Sequence, residues 1–71
     1  MKYVLIDQTK TDIFTSEFDT EHEAISAANY AYNHLTEVEK KQRVELYVLR
    51  SVNPDATAEN HFDGAVVLKL I

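Results

Sequence analysis

The sequence predicts an α+β fold, in which one main helix covers one face of a four-stranded antiparallel sheet. Four short segments are apolar runs rich in β-forming residues or alternate between apolar and polar residues, which is typical of strands. Between the second and third of them, residues 19–35 change to the 3.6-residue period of an amphipathic helix. The predicted order is therefore β-β-α-β-β, in a single domain that comprises residues 1–71.

The first two strands are predicted to form a hairpin. Residues 2–7 (KYVLID) are a short apolar run, and residues 12–18 (DIFTSEF) place alternate side chains on opposite sides of a strand. The segment that joins them, residues 8–11 (QTKT), is polar and short. Two adjacent strands with such a connection favour a hairpin.

The main helix is predicted from its cap and from its apolar stripe. Thr20 is followed three residues later by Glu23, the capping-box spacing in which the two side chains satisfy backbone N–H groups at a helix start. One arc of the helical wheel is apolar and mostly alanine, which allows the helix to lie close to a sheet. The residues of this arc are Ala24, Ile25, Ala27, Ala28, Ala31, Tyr32 and Leu35.

A short second helix is predicted at residues 36–42 (TEVEKKQ), directly before the third strand. Thr36 and Glu39 repeat the capping-box spacing. Lys40 and Lys41 lie near the C-terminal end of this segment, where the helix dipole favours cations.

The third and fourth strands complete the predicted sheet. Residues 43–52 (RVELYVLRSV) alternate and are followed by Asn-Pro-Asp, which ends a strand, and residues 65–71 (AVVLKLI) are an apolar run. A right-handed crossover past the main helix would place the third strand beside the first. The predicted strand order is 2-1-3-4, antiparallel throughout, with the second strand at an edge.

One helix covers only one face of this sheet. The helix is expected to cover the more apolar set, which is Val4, Ile6, Phe14, Phe18, Leu46, Val48, Val66, Leu68 and Leu70. The opposite face is expected to carry a second apolar set, diluted by polar residues, which is Tyr3, Leu5, Ile13, Tyr47, Leu49 and Val67. Because exposed apolar patches with tyrosines are typical of interfaces, these six residues are the predicted partner interface. The alternatives are that the loop at 53–65 or the short second helix covers this face, or that the face is simply exposed to solvent.

Composition narrows the classes of function. The net charge is −5, and residues 17–39 carry six acidic residues without a Lys or Arg. Nucleic-acid binding requires clustered cations, so it is not expected. The chain has no cysteine, which excludes disulfides and thiolate metal sites, and it has no apolar stretch of the length of a secretory signal or a membrane span. We therefore expect a cytoplasmic protein that does not bind membranes.

The loop at 53–65 (NPDATAENHFDGA) contains the clearest candidates for chemistry. His61 and Asp63 lie two residues apart and would point the same way in an extended segment, which suits a shared metal ion. A stable site needs three or four convergent ligands, and the loop shows no such spacing. A structured polar loop is the simpler interpretation. No catalytic residue, cofactor-binding residue or metal ligand is predicted.

Three segments and their order carry a resemblance. After a YVLID start, the chain contains YNHLTEVEKK, YVLRSVNPD and ENHFDG. Together they resemble a group of uncharacterised small proteins of gut-dwelling Gram-positive bacteria, often encoded near mobile elements. The resemblance implies a stand-alone small domain, and it brings no catalytic residues.

These observations favour a small non-enzymatic protein-interaction module without a cofactor, which docks on another protein or forms a homodimer through the predicted interface. The second hypothesis is an acidic decoy that inhibits a nucleic-acid-binding protein by occupying its cationic groove. It is motivated by the acidic run at 17–39, for which a solvated surface is the simpler explanation. The third hypothesis is a small metal-dependent enzyme that uses His34, His61 and Asp63.

Overall fold

The strands and helices follow each other in the predicted order. The structure is a computed structural model, and it describes residues 2–51 and 64–71. Its elements are β1 (Lys2–Thr9), β2 (Ile13–Phe18), α1 (Glu21–Asn33), α2 (Glu37–Gln42), β3 (Arg43–Ser51) and β4 (Ala65–Lys69). The strands form one antiparallel sheet in the order β2-β1-β3-β4, which confirms the predicted fold class and strand order. Among the described residues, no helix has the length and apolar character needed to cross a membrane.

Both helices begin at the predicted threonines. The Oγ1 atom of Thr20 accepts a hydrogen bond from the backbone N–H of Glu23 at 3.2 Å and donates one to the Glu23 carboxylate at 2.8 Å. At α2 the capping box is complete, because Thr36 and Glu39 each donate a backbone N–H to the other's side chain at 3.1 Å. These bonds from Thr36 hold the pKa of the Glu39 carboxyl below its ordinary value.

The core between α1 and the sheet depends on small helical side chains. Ala24 and Ala28 are fully buried, and they form one cluster with Leu5, Leu46 and Val48 of the central strands. Because alanine ends at its Cβ atom, the helix lies close to the sheet and the longer strand side chains fill the space. Each aliphatic side chain buried in this way contributes about 1.5–3 kcal/mol to stability.

The side chains of β1 that face the helix are the ones that the sequence predicts for the opposite face. Leu5 lies directly opposite Val48, and directly opposed residues of an antiparallel pair share a face. Leu5 belongs to the core cluster below α1, and Tyr3 packs against that cluster. The assignment of Tyr3 and Leu5 to the uncovered face is therefore wrong. The reason is that the run YVLI is apolar on both sides, so its pattern carries no information on which side faces the helix.

A bulge in β4 changes a second predicted face. Val48 lies opposite Leu68 and Leu49 lies opposite Val66, so β4 advances two residues where β3 advances one. Val67 is the extra residue of this bulge, and it packs against the core cluster. Val66, predicted to face the helix, is 55% exposed opposite Leu49. The prediction that Val67 lies on the uncovered face is therefore wrong as well.

The middle of the sheet face opposite α1 is buried. Val4 and Ile6 have exposed fractions of 0% and 2%, and Leu49, which lies opposite Val4 on this face, has 6%. These side chains are not available to a partner in this structure. The predicted loop that could cover this face lies, up to residue 63, outside the described residues.

Gly64 lies against the backbone of β3, directly before β4. A Cβ atom at this position would overlap the carbonyl oxygen of Arg50 and would lie 2.8 Å from Cγ of Leu49. We expect Gly64→Ala to lower the free energy of unfolding by about 1–3 kcal/mol, because the strands must separate to admit the methyl group. Urea denaturation measures this change. The control is Ala65→Val at the exposed neighbouring position, and an equal loss in the two variants would contradict the close approach.

Candidate interaction surface

The six residues of the predicted interface do not form one exposed surface. Ile13 is 59% exposed, whereas Leu5 and Leu49 are buried. The other three members, Tyr3, Tyr47 and Val67, are half-buried. The one member with a largely exposed side chain therefore lies on β2, at the edge of the sheet and not at its centre.

β2 is an exposed edge strand. Its first five residues are exposed and Phe18 is half-buried. Ile13 and Phe14 are each 59% exposed, and as neighbours in a strand they lie on opposite faces of the sheet. Among the described strands, β1 pairs with one side of β2 and none pairs with the other. The outer edge of β2 thus combines accessible backbone with apolar side chains on both faces.

The hydrogen-bond pattern of the hairpin determines which backbone groups of β2 point to this edge. In the turn, the backbone N–H of Thr9 donates to the carbonyl oxygen of Asp12 at 2.8 Å, so these residues form a hydrogen-bonded pair. Hydrogen-bonded pairs alternate along an antiparallel ladder, so the even-numbered residues of β2 bond to β1. The N–H and C=O groups that point away from β1 belong to Ile13, Thr15 and Glu17.

The hydrogen bonds of β3 on the side away from β1 are consistent with this alternation. Asp7 lies opposite Leu46 and, by the alternation, bonds towards β2. Leu46 must then bond away from β1. It does so, because its carbonyl accepts from the N–H of Leu70 at 2.8 Å and its own N–H donates to Ile71 at 3.2 Å.

The two edges of the sheet differ in protection against pairing with another chain. β4 carries a bulge at Val67 and a charged Lys69, two devices that discourage strand pairing. The first four residues of β2, IFTS, are uncharged and contain no proline or glycine. The charge of Glu17 lies 3.6 Å from Nζ of Lys2, which offsets it. β2 is therefore the less protected edge.

A polar cleft adjoins the hairpin turn and does not present a convergent binding site. Its lining residues are Thr9, Lys10, Thr11, Asp12, Phe14, Gln42 and Arg43. The guanidinium of Arg43 is already engaged, since its Nε lies 2.8 Å from Oδ1 of Asp7 and its Nη1 donates to the carbonyl of Glu39 at 3.4 Å. Both atoms of this Nε–Oδ1 contact are buried, and neither has a hydrogen-bond partner. The contact is therefore a close ion pair whose geometry does not meet that of a hydrogen bond.

His34, the described histidine among the candidates for chemistry, has a structural partner. Its Nδ1 atom lies 2.8 Å from the carbonyl oxygen of Tyr30, and because a carbonyl only accepts, this nitrogen carries the proton. Its ring stacks on that of Tyr30 with a centroid distance of 4.0 Å. Within residues 2–51 and 64–71, no three potential metal ligands come together. His61 and Asp63 lie outside the described residues.

Most side chains of the acidic run at 17–39 have local roles. Glu23 and Glu39 take part in the helix caps, and Glu17 pairs with Lys2. Glu37 lies 3.8 Å from Nζ of Lys40. A decoy would need these carboxylates to be available to an external cationic groove, so the local roles argue for the simpler explanation of a solvated surface.

Comparison of the chain with protein-family models, with curated proteins and with solved structures found no match. The resemblance to small proteins of gut Gram-positive bacteria thus stays a prediction, and the function is inferred from the geometry of the chain.

Two proline substitutions test the assignment of the backbone groups in β2. Proline has no N–H, and it is tolerated in an edge strand where the N–H faces solvent. We expect Thr15→Pro to change the free energy of unfolding by less than about 1 kcal/mol. Ser16→Pro removes a donor to β1 and should cost about 1–3 kcal/mol from that bond alone. Urea denaturation of the two variants measures both values, and a larger loss for Thr15→Pro would reverse the assignment.

The Tyr47 hydroxyl is expected to lower the free energy of unfolding as the pH rises in the alkaline range. Burial, and secondarily the charge of Glu45, raises the pKa of Tyr47 above its ordinary value. Above about pH 10 the unfolded chain releases this proton while the folded chain retains it, so stability falls as pH rises. Tyr47→Phe should make that fall shallower in denaturation curves between about pH 9 and pH 11. An equal effect of Tyr30→Phe, at a 66% exposed position, would contradict this origin.

Proposed function

We propose that this protein is a non-enzymatic interaction module that binds an extended segment of a protein chain by strand addition at the outer edge of β2. The observation that carries the proposal is the set of outward N–H and C=O groups at Ile13, Thr15 and Glu17, on a strand with no described neighbour on that side. The proposal keeps the predicted class of function and moves the surface from the sheet face to the sheet edge, because the middle of the face is buried.

Strand addition divides recognition between backbone and side chains. The backbone of the partner segment bonds to the outward groups of β2, which gives affinity with little dependence on sequence. Its side chains alternate between the two faces of the extended sheet. On the α1 side they would meet Phe14, and on the other side Ile13, each 59% exposed. A segment with β-branched or aromatic residues at those positions fits this edge best.

The size of β2 sets the expected strength of binding. Stable complexes bury about 1,200–2,000 Å² in total, and weak, transient ones bury less. One six-residue strand with two exposed apolar side chains lies at the low end of that range. We therefore expect binding to be reversible and to depend strongly on Ile13 and Phe14, the two side chains that add apolar area.

Site-specific photo-crosslinking tests the proposal. A benzophenone amino acid in place of Ile13 keeps an apolar side chain beside the outward backbone, and the same group in place of the exposed Asn29 on α1 is the matched control. In cells that produce the protein, we expect protein adducts from position 13 and few from position 29.

A proline in the same strand provides the second arm of this test. Thr15→Pro removes one outward donor and should abolish the adducts from position 13, while the chain stays folded by circular dichroism. Adducts from position 13 that persist at the same yield with Thr15→Pro, or equal yields from positions 13 and 29, would contradict strand addition.

A further inference from the structure

We propose that the segment which pairs with β2 is β2 of a second copy of this chain, in antiparallel orientation about a two-fold axis at Ser16. This inference rests on the proposed strand addition and names its partner. The pairing would join two four-stranded sheets into one eight-stranded sheet. Such a contact uses the same patch on both chains, as closed dimers do.

The backbone of β2 is compatible with itself in this arrangement. In an antiparallel pair, residues with outward groups must lie opposite residues with outward groups. A two-fold axis at Ser16 places Thr15 opposite Glu17 of the second copy, and Glu17 opposite Thr15 of the second copy. Both residues have outward N–H and C=O groups, so each of these two pairs forms two hydrogen bonds.

The side chains on the α1 face favour this axis over its nearest alternative. With the axis at Ser16, Phe14 of each chain lies opposite Phe18 of the other, which forms two cross-strand aromatic pairs. Phe14 is 59% exposed in one chain, and Phe18 already packs against the core, so each pair extends an existing apolar cluster. An axis at Thr15 would instead place Phe14 opposite Ser16 and Phe18 opposite Asp12, so it would form no aromatic pair.

The charges near β2 allow a second copy at this edge. No two acidic side chains lie directly opposite each other, since Glu17 faces Thr15, Asp12 faces Thr20 and Asp19 faces Ile13 of the second copy. The hairpin turn of each copy carries the exposed Lys10 and Asp12, and it comes beside the end of β2 in the other copy, where the exposed Asp19 and Glu21 lie. The attraction of Lys10 to these acids is therefore opposed by the repulsion of Asp12. The net charge of −5 on each chain opposes association at low salt, and this repulsion is screened beyond about 8 Å at physiological ionic strength.

Sedimentation equilibrium tests the second copy directly. Over chain concentrations from about 10 µM to about 1 mM, a range suited to a small interface, the average mass should rise from 8.1 kDa towards twice that value. Thr15→Pro should stay at the single-chain mass throughout that range. A chain that sediments as a monomer at every concentration, or a dimer that persists with Thr15→Pro, would overturn the inference.

The absence of cysteine allows a test of the axis itself. Ser16→Cys places two thiols on the two-fold axis, in a pair without mutual hydrogen bonds, where Cα atoms lie about 4.5 Å apart, within the range that disulfides span. Under mild oxidation we expect this variant to form a covalent dimer at least ten times faster than Asn29→Cys, which carries an exposed thiol on α1. Equal rates would overturn the proposed pairing.

The two proposals fail in different ways. If the chain is a monomer and position 13 still crosslinks to another protein in a manner that Thr15→Pro abolishes, strand addition holds and the second copy is wrong. If the chain forms a dimer that Thr15→Pro does not abolish, and Ser16→Cys crosslinks no faster than Asn29→Cys, the dimer uses another surface and the second copy at β2 is wrong. The crosslinks from position 13 then still decide whether strand addition holds.

Discussion

The register of the hairpin is the constraint on which the rest of this structure depends. The bond from Thr9 to Asp12 identifies the hydrogen-bonded pairs of β1 with β2, and through β1 the same alternation extends across the whole sheet. One consequence is that Leu5 and Val48 meet the alanines of α1. The other is that the outward groups of β2 belong to its odd-numbered residues. A shift of the strand register by one residue would turn the core side chains to the other face of the sheet. It would also change which backbone groups of β2 point outward, because side chains and backbone groups alternate together.

Local signals explain why the element order and the sheet order could be predicted. The Thr-x-x-Glu spacings at Thr20 and Thr36 act within one helical turn, so they do not depend on the rest of the fold. The alanine stripe of α1 has one face that can lie close to a sheet, and Ala24 and Ala28 are indeed its fully buried members. Handedness then places β3 beside β1, which leaves β2 at an edge.

The faces of individual strands could not be predicted with the same success. In β1, Val4 and Leu5 are equally apolar and both buried, so alternation cannot tell which of them lies below the helix. In β4, the bulge at Val67 displaces the pattern by one residue, and nothing in the run AVVLK indicates where a bulge lies. The candidate surface depends on a third property, the direction of backbone N–H groups, and this follows from hydrogen-bond geometry and not from the type of residue.

Binding at the edge of the sheet uses residues that contribute little to stability, whereas binding at a face of the sheet would use residues of the core. A chain of 71 residues without cysteine has a thin core, and an exposed apolar face would remove residues such as Val4 and Ile6 from that core. The outward groups of β2 contribute no hydrogen bond to the described sheet, and Ile13 and Phe14 are too exposed to contribute much burial. Changes at these positions can therefore alter a partner's affinity with little effect on the free energy of unfolding. Conversely, any bound strand stabilises the folded chain by mass action, and the amides that it should newly protect from exchange are those of Ile13, Thr15 and Glu17.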